Sequence, residues 1–383
     1  MDMIEKIRIL MVLTNTGRGG SQAYVMNILR EIDMKRFDVD VVTSVNPFSG
    51  YGQEIQSLGC NLYILPQFKV WNYLSYERAW KNFFSKHSYD IVHAHATSSA
   101  SLFFKIAKER GCVTIAHSHN SLYRGNWIEK KMKRIFVRGL KDQSDYWFSC
   151  SEKASPRLFG EKYADNPHYY ELPNAIDVIQ YRYDDEKRTK IRNKYGLDND
   201  DLLFGHVGTF SEPKNHIFLI EIFKEIYKRN QKSKLMLVGD GPLRNKVKMY
   251  VEKAGLSNKV IMTGNVSNVN EYMCGMDTMI FPSLFEGFPV TLVEAQAAGL
   301  YTVMSDEVTK SVMLTDCICH LSLSNTASEW ADVAIHNPVT DRKKYNDELS
   351  QTKYDIHRSI QQLVSLYEEM KMIHEAKDAR HEI

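Results

Sequence analysis

Several things are missing from this 383-residue sequence, and each absence narrows what it can be. No run approaches the roughly 20 apolar residues that a membrane-crossing helix needs, so any membrane role is expected to be peripheral. Met1–Lys6 runs straight into the strand-like Ile7–Leu13. That start offers no apolar core followed by a small-residue cleavage site, and a cytoplasmic chain that is not exported is expected. Charge of one sign is also lacking: 49 Lys and Arg stand against 47 Asp and Glu, and a net charge of +2 gives no global attraction to nucleic acid. The six cysteines, at positions 60, 112, 150, 274, 317 and 319, are scattered. Only Cys317 and Cys319 are close, at a spacing that suits neither a zinc ribbon nor a redox pair, and all six read as reduced. Low-complexity tracts and repeats of solenoid length are absent as well.

What is present is a recurring alternation. Short apolar, β-branched runs (Ile7–Leu13, Val39–Thr43, Leu62–Leu65, Ile91–Ala94, Val113–Ala116, Trp147–Cys150) are separated by helical patterns. A second series follows at Leu202–Val207, Leu235–Val238, Val260–Met262, Met279–Phe281 and Tyr301–Met304. Strands separated by helices imply an α/β chain with parallel sheets covered on both faces. Two such series in a chain of this length imply two domains, each burying its own core. The polar stretch Ala175–Asp200 reads as the linker, with a boundary near Tyr181 that gives domains 1–180 and 181–353. The final helical pattern, Tyr354–Met372 within 354–375, carries Ile356, Ile360, Leu363, Val364 and Tyr367 on one face and must pack somewhere.

The segment from Phe281 to Ala295 is the most informative, because seven residues separate Glu286 from Glu294. Thr278–Phe281 reads as a buried strand, Ser283–Pro289 as a loop and Val290 onward as a helix start. One carboxylate then precedes the helix and the other lies about one turn inside it. A helix N-terminus offers unpaired N–H groups to phosphate, and a nearby carboxylate can accept the hydroxyls of a ribose or sugar ring. The same acids would suit the helix dipole without any ligand. Gly287-Phe288-Pro289 shifts the weight toward a ligand loop.

This segment resembles the E-x7-E signature of the retaining glycosyltransferases of family 4, which have the two-domain GT-B fold. Pro173-Asn174-Ala175-Ile176-Asp177, Gly208-Thr209-Phe210-Ser211-Glu212-Pro213-Lys214-Asn215-His216 and Leu235–Leu243 are similar to three further blocks of the family, in the family order. Together they span about Phe148 to Ser305. Ile115–Ser121 and Ser305–Lys310 look closest to bacterial enzymes that build exopolysaccharide and capsule. The resemblance implies two Rossmann-like domains whose parallel sheets face a central cleft, with the last helix crossing back onto the first domain.

It also implies roles. His117, at the end of Val113–Ala116, would contact the donor sugar; Glu286 would orient the hexose; Lys214 would neutralise the diphosphate. Gly19 and Gly20, in the loop after the first strand, would close over the sugar and diphosphate. Thr209, Gly264, Asn265, Gly287, Phe288, Pro289, Val290, Thr291, Leu292 and Glu294 complete the expected donor site, with Glu294 on the ribose. His119, Asn174, Asp177 and Arg244 are further candidates, Arg244 because relatives usually carry Arg where Thr209 stands. Gln22 and Ala175 replace residues usual in the family, Glu and Gly. His117-x-His119 lacks an acidic cluster beside it, and neither a metal nor another cofactor is expected. His93 and His95 are expected to line the same cleft as structure.

The function implied is transfer of a hexosyl unit, with retention, from a nucleotide-sugar, most simply UDP-linked, to a glycan acceptor on a lipid carrier. Two rivals stand beside it: a nucleotide-sugar-binding subunit without catalysis, and a GT-B sugar-nucleotide epimerase, against which the Glu286/Glu294 block argues.

The stretch 127–141 is separate. Lys130, Arg134, Arg138 and Lys141 recur at helical spacing while Ile128, Met132, Ile135 and Phe136 occupy another side. This is either a solvated face or a basic amphipathic helix for the inner face of the membrane. Each cation near an anionic surface contributes about 1 kcal/mol. Changing Lys130, Arg134 and Arg138 to Gln should therefore sharply cut sedimentation with anionic vesicles at low salt, and unchanged sedimentation would return the stretch to a solvated face.

Overall fold

The computed structural model describes residues 5–17, 19–45, 50–95, 99–119, 139–151, 155–198, 200–286, 288–336 and 339–381. Most of the basic stretch 127–141, and Gly287, lie outside the described residues. The chain divides into two compact units, one comprising residues up to Ala175 together with Ile356 onward, the other Ile176–Asp355. Tyr181 thus belongs to the second unit, and the last helix, Ile356–His381, to the first.

The first unit is built on seven strands: β1 (Ile7–Val12), β2 (Phe37–Thr43), β3 (Leu62–Ile64), β4 (Ile91–Ala94), β5 (Val113–Ser118), β6 (Tyr146–Ser149) and β7 (Tyr169–Glu171). They pair in parallel in the order β3-β2-β1-β4-β5-β6-β7. Strand β1 shows why its sequence is apolar without a break from Ile9 to Val12. Ile9 and Met11 face one core, with Val25, Ile28 and Leu363, while Leu10 and Val12 face another, with Trp80, Phe103 and Phe104. A strand covered by helices on both faces has no solvent side to be polar. The last helix completes the first of these cores with Ile360, Leu363, Tyr367 and Met370.

The second unit repeats the plan with β8 (Leu202–Val207), β9 (Ser233–Val238), β10 (Val260–Gly264), β11 (Thr278–Phe281), β12 (Tyr301–Ser305) and β13 (Ile318–Leu321). Their order is β10-β9-β8-β11-β12-β13, all parallel. Met236 and Val238 enter one core, Leu235 and Leu237 the other. Both sheets have the Rossmann-like arrangement, in which ligands gather beyond the carboxyl ends of the strands.

Arg342 holds one corner of the second unit. Its guanidinium donates to the carbonyls of Ala298, Cys274, Met276 and Met273, and burial pushes its pKa down to about 10. Removing it strands several acceptors at once, and each unsatisfied buried group costs on the order of 1–3 kcal/mol. Arg342→Ala should thus lower the unfolding free energy by roughly 2–4 kcal/mol in urea titration, whereas the exposed neighbour Lys343→Ala should lie within about 0.5 kcal/mol of wild type. Equal effects would show that the Arg342 contacts carry no net stability.

Candidate active site

In the second unit the carboxyl ends of β8, β9, β10 and β11 send out loops that hold one another. Gly208 donates its N–H to the Val238 carbonyl at 3.0 Å, Phe210 to that of Asp240 at 3.0 Å, and Gly239 to that of Gly264 at 3.0 Å. Leu284 donates to the Pro213 carbonyl at 2.8 Å. Gly239 has φ +132°, and a Cβ there would stand 2.2 Å from the Gly208 carbonyl oxygen. Only glycine lets these two loops approach so closely. The blocks around 208–214, 239–242, 263–266 and 281–295, separate in sequence, therefore form one surface.

Lys214 and Glu286 meet on it. The ammonium lies 2.6 Å from the carboxylate, with side chains 14% and 18% exposed, and 4.5 Å from the centre of the Phe281 ring. Lys214 ends a 3-10 turn, Glu212–Lys214, which Asn215 closes with φ 52°. Ser283 supports Glu286 through a longer contact of 3.4 Å. Thr209 is exposed, and Arg244 lies with its guanidinium near Gly264 and paired to Asp240 at 3.3 Å. Asn265 is exposed beside it. Arg244 thus stands on the same group of loops as Lys214.

Glu294 lies one turn into the helix Val290–Ala297. Burial pushes its carboxyl above the usual range, and a hydrogen bond from the Tyr181 hydroxyl, at 2.8 Å, works against that rise. At the start of this helix Leu292 spends its N–H on the Pro289 carbonyl at 2.9 Å and buries its side chain in the core. That corrects the expectation of a free N–H there, and leaves Val290 and Thr291 as the first-turn donors. Phe288 stacks on Tyr354, ring centres 5.4 Å apart. Asp177 is exposed and caps the turn below it by accepting from the Gln180 N–H at 3.1 Å.

Sequence reasoning passed over three residues here. Tyr181 lay in the stretch read as a linker. His206 and His216 are buried beside Lys214, and His216 stacks on Phe210 at 4.3 Å. Burial, with Lys214 adding to it, takes the His216 imidazole down to about 4. The signal was available in His216 following Lys214-Asn215, but only the fold shows that the ring turns inward.

In the first unit the candidates gather at the carboxyl ends of β1, β4 and β5. Gly19 precedes the helix Gly20–Glu31, and Gln22 folds back so that a Cβ on Gly19 would meet its Oε1 at 2.5 Å. Asn174 faces Gly20. Tyr24, on the same helix, packs against His117 at 4.9 Å and His119 at 5.4 Å between ring centres. Strand β5 runs two residues further than expected, to Ser118, so His117 is inside it with no exposed surface. His119 follows the strand and is half-buried. His119 keeps some exposed ring surface, while its Nε2 contacts His95 and its Nδ1 is buried. His117 stacks behind it at 4.1 Å.

The histidines form a buried network. His93 Nδ1 contacts the Tyr367 hydroxyl at 2.7 Å, His93 Nε2 contacts His117 Nδ1 at 3.1 Å, and His95 Nδ1 contacts His119 Nε2 at 2.7 Å. Ligand atoms of His93, His95 and His117 lie within 4.8 Å of one another. The short His93–His117 contact is one a shared proton satisfies, and no carboxylate belongs to the group. Burial, reinforced by the neighbouring imidazoles, holds His93, His95 and His117 far below the ordinary histidine pKa. Burial takes His119 to about 3, with Asn174 beside it opposing.

These depressed values have a sign. The folded protein keeps the imidazoles neutral while the unfolded chain binds protons below about pH 6.5. Stability is therefore full above that pH and falls as pH drops through it, by about 1.4 kcal/mol per pH unit for each histidine that stays neutral. Urea titrations at about pH 7.5 and about pH 5.5 should show a smaller loss for His117→Gln than for wild type. An identical loss would mean that His117 is not held neutral.

Comparison with known proteins places this geometry. The model for glycosyl transferases group 1 matches residues 187–329, and that for Glycosyltransferase Family 4 matches residues 18–178. EpsF of Bacillus subtilis, named as a glycosyltransferase, is 31% identical over 368 residues, 94% of this chain and 96% of its own. The UDP-Gal:alpha-D-GlcNAc-diphosphoundecaprenol alpha-1,3-galactosyltransferase of Escherichia coli is 25% identical over 236 residues, 58% of this chain and 59% of its own. Among solved structures, HepE of Anabaena in complex with UDP is similar in fold, with a TM-score of 0.75 at 15% identity over 95% of this chain and 100% of its own. A relative above 30% identity over nearly the whole length, together with both family models, shows that the chain belongs to the family 4 glycosyltransferases of the GT-B type.

Proposed function

We propose that this glycosyltransferase moves a hexosyl unit from a UDP-sugar to a lipid-linked glycan, with retention, in the assembly of a bacterial exopolysaccharide or capsule. The observation that carries the reading is the Lys214–Glu286 pair on loops at the carboxyl ends of parallel strands. The class of acceptor rests on likeness to the Escherichia coli galactosyltransferase, whose name specifies a diphosphoundecaprenol carrier. Retention rests on the E-x7-E resemblance alone.

The chemical task is to let a nucleoside diphosphate leave while positive charge grows on the sugar. Lys214 and the N–H groups of Val290 and Thr291 supply fixed positive potential where the diphosphate departs. Glu286, oriented by Lys214, accepts from sugar hydroxyls. Glu294 accepts from the ribose. In the first unit His117, with His119 stacked on it, contacts the hexose, and Gly19 and Gly20 let the backbone approach the donor. Cationic and backbone groups carry the charge in this scheme, without a metal.

Thr209 favours a second reading, a nucleotide-sugar-binding subunit. It is exposed, and it stands where relatives usually carry Arg. Lys214→Ala decides between them, because truncating one member of a largely buried pair strands the other and removes a charge-assisted contact to the diphosphate. Turnover, followed as acceptor-dependent UDP release, should fall by on the order of 10- to 100-fold, equivalent to roughly 1.5–3 kcal/mol of transition-state stabilisation. Arg244→Ala should be comparably damaging if Arg244 supplies the second cation. A wild-type protein that binds UDP-sugar, transfers nothing to a lipid or glycan acceptor, and gains transfer with Thr209→Arg would establish the binding subunit instead.

A further inference from the structure

Large apolar side chains crowd one exposed corner of the first unit. Trp71 is 83% exposed, Leu74 72%, Ile64 57%, Tyr73 42% and Val45 38%, a density that no other short stretch among the described residues matches. Topology brings them together. Ile64 ends the edge strand β3, whose partner is Thr43 of β2, and Val45 lies just past that strand. Trp71 sits in the 3-10 turn Val70–Asn72, which runs directly into the helix Tyr73–Phe84.

The sequence through this turn and helix has an order to it. Trp71, Leu74 and Arg78 recur at three and four residues, so they share a face, and Lys81 extends it. Lys69 lies over the Trp71 ring at 5.5 Å. Lys69, Arg78 and Lys81 are exposed, and the acid beside them, Glu77, is paired to Lys81 at 2.6 Å. The opposite face is fixed in the core by Tyr76, Trp80, Phe83 and Phe84. The outward tryptophan and leucine are therefore not turned out by a loose helix; a well-buried face presents them.

We propose that this corner is a docking surface for an anionic lipid bilayer, with Trp71, Leu74 and Tyr73 entering the interface and Lys69 and Arg78 meeting lipid phosphates. Tryptophan and tyrosine favour the headgroup level, and cations beside an apolar tip suit an anionic leaflet better than a neutral one. The corner lies at the carboxyl-end edge of the first sheet, the edge that also carries Gly19, Gly20 and His119. Docking there would set that edge against the leaflet holding a lipid-linked acceptor. This deepens the proposed function, and it also stands apart from the basic stretch 127–141.

The test is sedimentation of the full chain with vesicles of phosphatidylglycerol and phosphatidylcholine, against vesicles of phosphatidylcholine alone. Wild type should bind the anionic vesicles, and Trp71→Ala with Leu74→Ala should weaken that binding by about tenfold. Lys69→Gln with Arg78→Gln, which leaves the apolar tip intact, should reduce the preference for anionic vesicles. Tryptophan emission should shift to the blue on vesicle addition in wild type and lose most of that shift in Trp71→Phe. Undiminished binding by the alanine pair, or a shift that survives in Trp71→Phe, overturns the proposal. So does a wild-type oligomer in vesicle-free solution that the alanine pair converts to monomer, which would assign the surface to a second copy of the chain. None of these readouts uses transfer, so loss of the transferase reading would leave this result standing, and the reverse.

Discussion

The constraint on which the molecule depends is parallel pairing. A parallel strand cannot return through a hairpin; its chain must cross back by a helix, so each sheet is covered on both faces and all its carboxyl ends open on one edge. In the second unit that edge collects Gly208–Lys214, Gly239–Pro242, Gly264–Asn265 and Ser283–Pro289. In the first it collects Gly19–Gly20, His95 and His119. Residues far apart in sequence are neighbours because the topology leaves their loops no other side to emerge from. The glycine at 239 is a consequence of the same crowding, since two such loops can only share an edge if one lacks a Cβ at the point of contact.

Within that frame the charge of the second unit is concentrated in few groups. Lys214 and Glu286 are mostly buried, so each is an uncompensated charge without the other, and neither can be replaced singly at low cost. Arg244 is different: it is about two-fifths exposed and shares its salt bridge with Asp240 over a longer distance, which leaves it freer to turn toward an anion. Thr209 contributes no charge. Among the described residues, the cationic potential of these loops thus draws on Lys214, which is fixed, and Arg244, which is freer, together with the N–H groups that begin the helix Val290–Ala297.

Much of this was legible in the residues. Ile91–Ala94 and Leu202–Val207 were readable to the residue because a doubly covered strand is mostly apolar, with His93 and His206 the polar exceptions. Tyr169–Glu171 and Ile318–Leu321 were not, since both are edge strands with half-exposed positions and carry too little apolar signal to stand out from a loop. The Glu286/Glu294 spacing and the glycine loops marked a close backbone approach and a helix start, because both are local properties. Side-chain partners are not local. Tyr367 reaches His93 across 274 positions and Tyr181 reaches Glu294 across 113, and periodicity carries no information about either. The end of β5 was misread for a smaller reason: the strand runs two residues past its apolar run, which puts His117 inside it and His119 just beyond.

Tyr181 shows what such a hidden partner does. A carboxylate accepts hydroxyls most strongly when ionised, yet burial at Glu294 favours the neutral form. The phenol of Tyr181 donates to one of its oxygens and so favours the charged form, while burial, with that carboxylate adding to it, drives the tyrosine's own pKa upward and keeps it a donor. The hydrogen bond thus opposes the rise that burial imposes on Glu294, while Glu294 helps to keep Tyr181 protonated. A residue in the polar stretch that joins the two units is thereby tied to the second, where its ring also packs against the core, and the stretch containing Tyr181 is not a bare connection.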